Sequence, residues 1–254
     1  MEAYVDNQTM KQNYWQSRLR AATNPVRMEG ELKNLEYSIV PITNRDADRV
    51  VDFLRRFFFR DEPLNVAIDL IEDANSRCVE LEEYCLTSVD EGVSIMAVSE
   101  TGKILGVCLN GILSREEQEA ENENEVEPSV GNPKFKKILT LLYRVGRESN
   151  VFKQFSDVDK VIDIKIASVD TSCRGQGIAK ALFDRTKKMA KDLDIPMVRV
   201  DCTSAYSAKA VARLGFDCVY TLSYSDHLEP STGEPVFRPE APHTCVKTFV
   251  HLIH

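Results

Sequence analysis

Residues 161–193 read VIDIKIASVDTSCRGQGIAKALFDRTKKMAKDL, and this stretch decides the fold. The apolar run at 161–170 predicts a buried strand, and a glycine-containing turn follows it. The remainder predicts a helix with one apolar stripe. The stripe consists of Ile178, Ala181, Leu182, Met189 and Leu193. The sequence therefore predicts a strand, a glycine turn and a helix in direct succession.

The turn between this strand and helix has the composition of an anion site. Its residues are Arg174, Gly175, Gln176, Gly177, Ile178 and Ala179. Backbone N–H groups at a helix start point outward, and the helix dipole adds positive charge, so a pyrophosphate is a natural guest. The spacing fits neither a P-loop nor the G-x-G-x-x-G dinucleotide fingerprint. From the residues alone, a phosphate site and a merely tight turn remain alternatives.

The rest of the chain supplies further strands and helices around this unit. Strands are predicted at 35–41, 94–99, 104–113, 197–203, 217–225 and 244–253. Helices are predicted after a cap at Thr43 or Asn44, after Pro63, at 134–155 and at 206–214. Thr101-Gly102 lies between two of the strands and indicates a hairpin. This order predicts an α/β fold with a mixed, mostly antiparallel central sheet and helices on both faces.

Two segments depart from that pattern. Residues 1–33 are polar, and we expect a loosely ordered N-terminal extension before a single domain at 34–254. At about 115–132 we expect an acidic loop insertion, because residues 115–128 hold seven glutamates and one arginine. Such self-repelling charge favours a mobile surface loop. An acidic segment that binds a partner is the alternative.

Bulk properties narrow the class of protein. The net charge of −8 argues against a nucleic-acid partner. No apolar run is long enough to span a membrane, and the first 20 residues lack the apolar core of a secretory signal. The seven cysteines are scattered without a C-x-x-C pair, which favours reduced thiols in a cytoplasmic protein and no metal site. We expect a monomer.

The glycine turn resembles that of the GCN5-related N-acetyltransferases, whose pattern [RQ]-x-x-G-x-[GA] is met by Arg174, Gly177 and Ala179. The resemblance implies acetyl-CoA as co-substrate, with its pyrophosphate on the turn. It also implies that the preceding strand, Lys165 to Val169, bonds the pantetheine arm. Ala167, Ser168 and Val169 would lie nearest to that arm.

A second element resembles the same superfamily. Residues 204–216, SAYSAKAVARLGF, are similar to its N-x-x-A-x-x-x-Y-x-K-x-G-F segment. Val211 falls at the tyrosine that protonates the leaving thiolate in many members. The resemblance therefore implies that another group or water is the general acid here.

Longer strings resemble one family, the insect-type arylalkylamine N-acetyltransferases. They are FFFRDEPLN (57–65), PKFKKIL (133–139), KIASVDTSCRGQGIA (165–179), YSAKAVARLGF (206–216) and VFRPEAPH (236–243). The family implies Glu62 as general base and catalytic hydroxyls at Thr203 and Ser207. Thr203 departs from the serine common in the family. Ser207 is also our candidate for a contact with acetyl-CoA and for the group that protonates the leaving thiolate.

The residues themselves support this chemistry but leave alternatives. A carboxylate beside Phe57, Phe58 and Phe59 can have a raised pKa, which suits a base that deprotonates an ammonium. Glu62 could instead be a helix-start carboxylate before Pro63.

The acceptor side is less defined by the sequence. Phe59, Asp61 and His243 are candidate acceptor contacts, but Asp61 could be a solvated neighbour and His243 a structural hydrogen-bond partner. Cys202 is more simply a buried strand cysteine than a site of acetylation.

The predicted activity is acetyl transfer from acetyl-CoA to an arylalkylamine such as dopamine, serotonin, tyramine, tryptamine or octopamine. An acetyltransferase for polyamines or other amines is one alternative. A non-catalytic acetyl-CoA-binding module is the other.

Overall fold

The computed structural model describes residues 14–29, 35–73, 75–123 and 128–254. Within these ranges eight strands form one sheet in the order β1-β2-β3-β4-β5-β6-β8-β7. The strands are β1 (Val26–Glu29), β2 (Glu36–Pro41), β3 (Ile95–Ser99), β4 (Ile104–Ser114), β5 (Lys160–Val169), β6 (Met197–Cys202), β7 (Asp217–Ser223) and β8 (Cys245–Leu252). Only the β5–β6 pair is parallel among them. The predicted mixed, mostly antiparallel sheet is confirmed.

Helices cover both faces of this sheet. They are α1 (residues 14–22), α2 (Ala47–Phe57), α3 (Pro63–Ala67), α4 (Val79–Asp90), α5 (Arg115–Glu123), α6 (Pro133–Ser149), α7 (Val151–Gln154), α8 (Ile178–Asp192) and α9 (Ala205–Arg213). The apolar stripe of α8 packs with Ile162 and Ile164 on one face. Helices α2, α4 and α6 pack with Val107 and Leu109 on the other. The prediction of helices on both faces is therefore also confirmed.

The parallel strands β5 and β6 separate after a short paired stretch. Their register runs from Val161 opposite Met197 to Ile164 opposite Val200. Beyond Ile164, β5 continues to Val169 beside β4, while β6 continues to Cys202 beside β8. Half of the backbone groups in the unpaired part of β5 face away from β4, because pairing groups alternate along a strand. The sheet therefore contains a gap lined by backbone donors and acceptors.

Residues 14–29 differ from the loosely ordered extension that the sequence predicted. Ala22 is 1% exposed in the core, and Trp15 and Leu19 pack against it. Arg185 in α8 donates to the carbonyl oxygen of Asn24 at 2.8 Å. Strand β1 pairs antiparallel with β2. These apolar side chains make the segment part of the domain, while the remainder of the predicted extension (1–13 and 30–33) lies outside the described residues.

The acidic segment also differs, because residues 115–123 form α5 instead of a surface loop. Ser114 and Glu117 cap each other at its start, with Ser114 N donating to Glu117 Oε2 at 2.9 Å. The Arg115 guanidinium donates to the carbonyl oxygens of Phe152 at 2.9 Å and Val158 at 2.7 Å. Glutamate is itself a good helix former. The hydrogen bonds of Arg115 thus offset the repulsion between the glutamates. Residues 124–127 of the segment lie outside the described range.

Among the described residues, no helix has the length and apolar character that crossing a bilayer requires.

Candidate active site

A cavity of about 350 Å³ lies between α3–α6 and strands β4–β6, and it reaches the gap between β5 and β6. The residues at the gap end are Glu62, Ala167, Thr203 and Ser207. The apolar walls include Phe58, Leu64, Phe135 and Ile138. The other end is polar and includes Gln118, Glu121, Tyr143, Asp163 and Arg199. The cavity therefore combines a buried carboxylate, an apolar middle and a charged far end.

Glu62 is held at the start of α3. Its Oε2 accepts a hydrogen bond from the Asn65 backbone N–H at 2.9 Å, so the side chain caps the helix. Pro63 takes the first helical position, where its missing N–H costs nothing. Oε1 is buried and finds no hydrogen-bond partner among the described residues. The sequence left helix capping and catalysis as alternatives for Glu62. In the structure Oε2 caps α3, and Oε1 remains to accept a proton.

The surroundings of Glu62 change its acidity. Burial raises the pKa of the Glu62 carboxyl above its ordinary value. The Thr203 side chain and the backbone N–H groups of Asn65 and Leu64 stabilise the charged form and oppose this rise in pKa. A carboxylate with a raised pKa binds a proton more strongly than a solvated one, which suits a general base near neutral pH.

The predicted hydroxyls lie on the opposite side of the gap end. Thr203 directly follows β6, and its carbonyl oxygen accepts from the Tyr224 hydroxyl at 2.6 Å. The Ser207 hydroxyl donates to the Ser204 carbonyl oxygen at 2.8 Å in the first turn of α9. Val211, at the superfamily's tyrosine position, is 2% exposed in the apolar core and has no proton to give. Ser207 therefore remains our candidate proton donor.

Cys202 directly precedes Thr203 at the end of β6 but is poorly suited to accept an acetyl group. Burial raises the pKa of its thiol to about 12, although Ser207 opposes the rise. The thiolate is the nucleophilic form of cysteine, and at neutral pH this side chain is almost entirely thiol.

The glycine turn fits a phosphate group. Gly175 has φ 77° and Gly177 has φ 79°, a left-handed conformation that glycine adopts without steric cost. Gly177 is the N-cap of α8 and provides no side-chain acceptor for the first N–H groups of the helix. A Cβ at Gly175 would have nothing within 4 Å. Free N–H groups facing open space form the kind of cradle that a pyrophosphate occupies.

The segment that precedes the turn is fixed so that its backbone faces the gap. The Ser168 hydroxyl donates to the Phe57 carbonyl oxygen at 3.0 Å and ties β5 to α2. Val169 packs against the core under α8, and Ala167 lines the cavity. The amides of a pantetheine arm need such a rigid edge of backbone groups.

The structure brings none of the three predicted acceptor contacts to the described cavity lining. Phe59 is 2% exposed in the core, and its neighbour Phe58 lines the cavity instead. Asp61 pairs with Arg174 of the glycine turn at 3.1 Å. His243 Nδ1 accepts from the Ala205 backbone N–H at 3.2 Å, which positions the start of α9.

Sequence reasoning missed the charged end of the cavity. Arg199 is 5% exposed and forms ion pairs with Asp163 at 3.3 Å and Asp201 at 2.6 Å. Thr248 donates to the second oxygen of Asp201 at 2.6 Å. The available signal was the pair of charged residues at alternate positions of an otherwise apolar strand, MVRVDC. Gln118 and Glu121 were missed because α5 was predicted to be a loop.

Comparison with known proteins gives a consistent result. No protein-family model matches the chain. The chain is 36% identical to arylalkylamine N-acetyltransferase 2 from Aedes aegypti, covering 86% of this chain and 99% of that one, with a TM-score of 0.75. It is 30% identical to the Drosophila melanogaster polyamine N-acetyltransferase that forms N-acetylagmatine, covering 85% and 99%, with a TM-score of 0.75. Arabidopsis thaliana NAA60 in complex with acetyl-CoA shares the fold at 16% identity, covering 85% and 98%, with a TM-score of 0.50.

Strands that separate beside a glycine turn at a helix start define a GCN5-related N-acetyltransferase, and the structural neighbours have this fold. Within that superfamily, the identity to the Aedes enzyme over almost its whole length places the chain more narrowly. The chain belongs to the insect-type arylalkylamine N-acetyltransferase family.

Proposed function

We propose that this protein transfers the acetyl group of acetyl-CoA to the primary amine of an arylalkylamine. The observation that carries the proposal is the Glu62 carboxyl, which is 8% exposed with one oxygen unpartnered among the described residues. It lies where the apolar middle of the cavity meets the gap in the sheet. A cytoplasmic location is part of the proposal, and the seven free thiols support it.

The N–H groups of the turn from Arg174 to Ala179 would hold the pyrophosphate of acetyl-CoA. The gap-side backbone groups of Ala167, Ser168 and Val169 would hold its pantetheine arm. When bound, acetyl-CoA supplies an activated thioester carbonyl at the gap. Holding both substrates on one rigid frame contributes a large part of the rate enhancement, because attack becomes effectively unimolecular.

Glu62 removes a proton from the acceptor's ammonium, directly or through one water, since an ammonium has no lone pair for attack. The amine nitrogen then bonds to the carbonyl carbon, and the carbon–sulfur bond breaks. The nitrogen of the tetrahedral adduct loses its second proton to solvent. Ser207 gives its hydroxyl proton to the leaving sulfur and regains one from solvent. The products are the N-acetyl amine and coenzyme A.

The middle of the cavity supports an aromatic acceptor. Phe58, Leu64, Phe135 and Ile138 offer apolar surface to a ring, and burying a ring is favourable. A polyamine would have to lose the hydration of several charges against the same walls. Polyamines and agmatine form the second candidate class, because the 30% identical Drosophila enzyme forms N-acetylagmatine and two carboxylates, Glu121 and Asp163, line the cavity.

Thiol release from acetyl-CoA, measured with a panel of amines, tests the proposal. We expect higher kcat/KM for dopamine and tryptamine than for spermidine and agmatine. A preference for spermidine or agmatine over both aromatic amines would contradict the acceptor class. Absence of turnover with every amine, despite acetyl-CoA binding, would instead identify a binding module.

A further inference from the structure

Arg199 is an arginine with an incomplete set of partners in the interior of the protein. Both terminal nitrogens of its guanidinium form ion pairs with carboxylates, Nη1 with Asp163 and Nη2 with Asp201. The third nitrogen, Nε, is buried, and its N–H has no acceptor among the described residues. A buried donor without an acceptor destabilises the fold, because folding removes its hydrogen bond to water without replacing it. Such a group in a ligand cavity indicates that the ligand supplies the acceptor.

The carboxylates that flank Arg199 are themselves fixed. Thr248 donates to Asp201 at 2.6 Å, and the adjacent Asp163 lies opposite Arg199 in the β5–β6 register. The guanidinium is thereby held in one orientation, and the two carboxylates more than offset its charge. Its unpaired N–H is consequently suited to bind a neutral polar group, for which no second charge has to be desolvated.

Arg199 lies at a useful distance from the proposed base. Side chains at alternate positions of a strand share a face, so Arg199 and Asp201 lie on one face of β6, and Thr203 directly follows that strand. Four residues of strand span about 13 Å. Thr203 is at the Glu62 end of the cavity, and Arg199 therefore marks the other end. An acceptor whose amine reaches Glu62 directs its ring toward Arg199.

We propose that Arg199 is a specificity-determining residue whose Nε–H donates to a hydroxyl group on the ring of the acceptor amine. The inference rests on the proposed function and narrows it to ring-hydroxylated arylalkylamines. A hydroxyl oxygen has the lone pairs that Nε–H needs. A protonated polyamine end or the guanidinium of agmatine carries only donors and leaves Nε–H unpaired.

The test compares two amines that differ by a single hydroxyl, tyramine and 2-phenylethylamine. In the wild-type enzyme we expect kcat/KM for tyramine to exceed that for 2-phenylethylamine by about tenfold or more, as for a hydrogen bond to a charged donor. In Arg199→Lys the charge is kept and Nε–H is removed, so the ratio should fall to about one. The ratio is taken within each protein and is therefore independent of the fraction that folds.

Arg185→Lys is the matched control. Arg185 is buried like Arg199, at 8% exposure, but donates to the Asn24 carbonyl oxygen on the α8 side of the sheet. Its substitution should leave the ratio at the wild-type value. Equal kcat/KM for the two amines in the wild type, or an unchanged ratio in Arg199→Lys, would overturn the inference and leave the proposed function standing. Turnover of neither amine would count against the proposed function itself.

Discussion

Arg174 of the glycine turn and Asp61 form an ion pair, with Nη2 and Oδ2 3.1 Å apart. The pair joins the proposed cofactor site to the residue next to Glu62, the proposed base. Both side chains are about half exposed, so the pair contributes little to stability. Its position nevertheless assigns Asp61 to the cofactor side and away from the acceptor cavity.

Asp61→Asn should therefore leave acceptor binding intact. We expect KM for the amine to stay within about twofold of the wild type, because Asp61 does not line the described cavity. The affinity for acetyl-CoA should stay equal or increase, since Arg174 loses a competing anion. Steady-state kinetics with each substrate varied in turn measures both. A tenfold rise in KM for the amine alone would restore Asp61 as an acceptor contact.

Gly175→Glu should abolish acetyl-CoA binding by placing a negative charge in the phosphate cradle. Gly102→Glu is the matched control, because the two glycines have φ 77° and 78° and a Cβ meets nothing within 4 Å at either. The left-handed conformation should lower the free energy of unfolding by a similar amount, about 1–2 kcal/mol, in both variants. Calorimetric titration with acetyl-CoA distinguishes them. Equal affinities in the two variants would remove the turn from the cofactor site.

Glu62→Gln keeps the size of the side chain and removes the proton acceptor. At neutral pH kcat/KM should fall by about 10²–10⁴-fold, the usual contribution of a general base. Burial raises the pKa of Glu62, so wild-type activity should increase as pH rises through that pKa and the carboxyl loses its proton. The activity of Glu62→Gln should not show this increase, because the variant has no carboxyl group to titrate at this position.

The same pair of proteins also distinguishes a base from a positioning group. As pH rises toward the pKa of the amine, free amine becomes abundant. The difference in kcat/KM between the wild type and Glu62→Gln should therefore shrink. A deficit that is constant from about pH 7 to about pH 10 would indicate positioning instead. Titration with acetyl-CoA provides the control, because its affinity should be unchanged.

Glu82 should make the stability of the fold depend on pH. Its carboxylate forms ion pairs with two arginines, Oε1 with Arg55 Nε at 2.8 Å and Oε2 with Arg77 Nη2 at 2.6 Å. Burial alone would raise the pKa of Glu82, but the two guanidinium groups prevail and lower it to about 2. The folded-state pKa is below the unfolded one, so this contribution is complete above about pH 4.5 and is lost as pH falls toward 2.

Chemical denaturation at several pH values tests this role of Glu82. At pH 6 we expect Glu82→Gln to lower the free energy of unfolding by about 3 kcal/mol, and the difference should narrow as pH falls toward 2. Exposed Glu83 on the same helix is the control, and Glu83→Gln should change little. A difference between wild type and Glu82→Gln that did not vary with pH would contradict the ion-pair explanation.

The central unit of the fold could be predicted from sequence because its signals are local. The alternation of apolar residues in β5, the glycines at 175 and 177 and the stripe of α8 each constrain a few neighbouring residues. The proposed role of Glu62 needed the family resemblance. Its local surroundings are equally consistent with a helix cap, and the side chain does cap α3.

The rest could not be predicted because it depends on contacts that are distant in sequence. Helix α5 is anchored through Arg115 to carbonyl groups about 40 residues away, and its own charge pattern indicates a loop. The environment of Arg199 requires Asp163 from another strand. Phe58 and Phe59 are adjacent, and only the end of α2 decides which of them reaches the cavity.

Strand β1 has a consequence for the solution behaviour of the protein. It pairs with β2 along one side of the sheet, far from the gap between β5 and β6. A variant that lacks residues 1–34 would lose β1. The backbone donors and acceptors of β2 would then be open to pairing with another molecule. We therefore expect a protein truncated in this way to self-associate through β2.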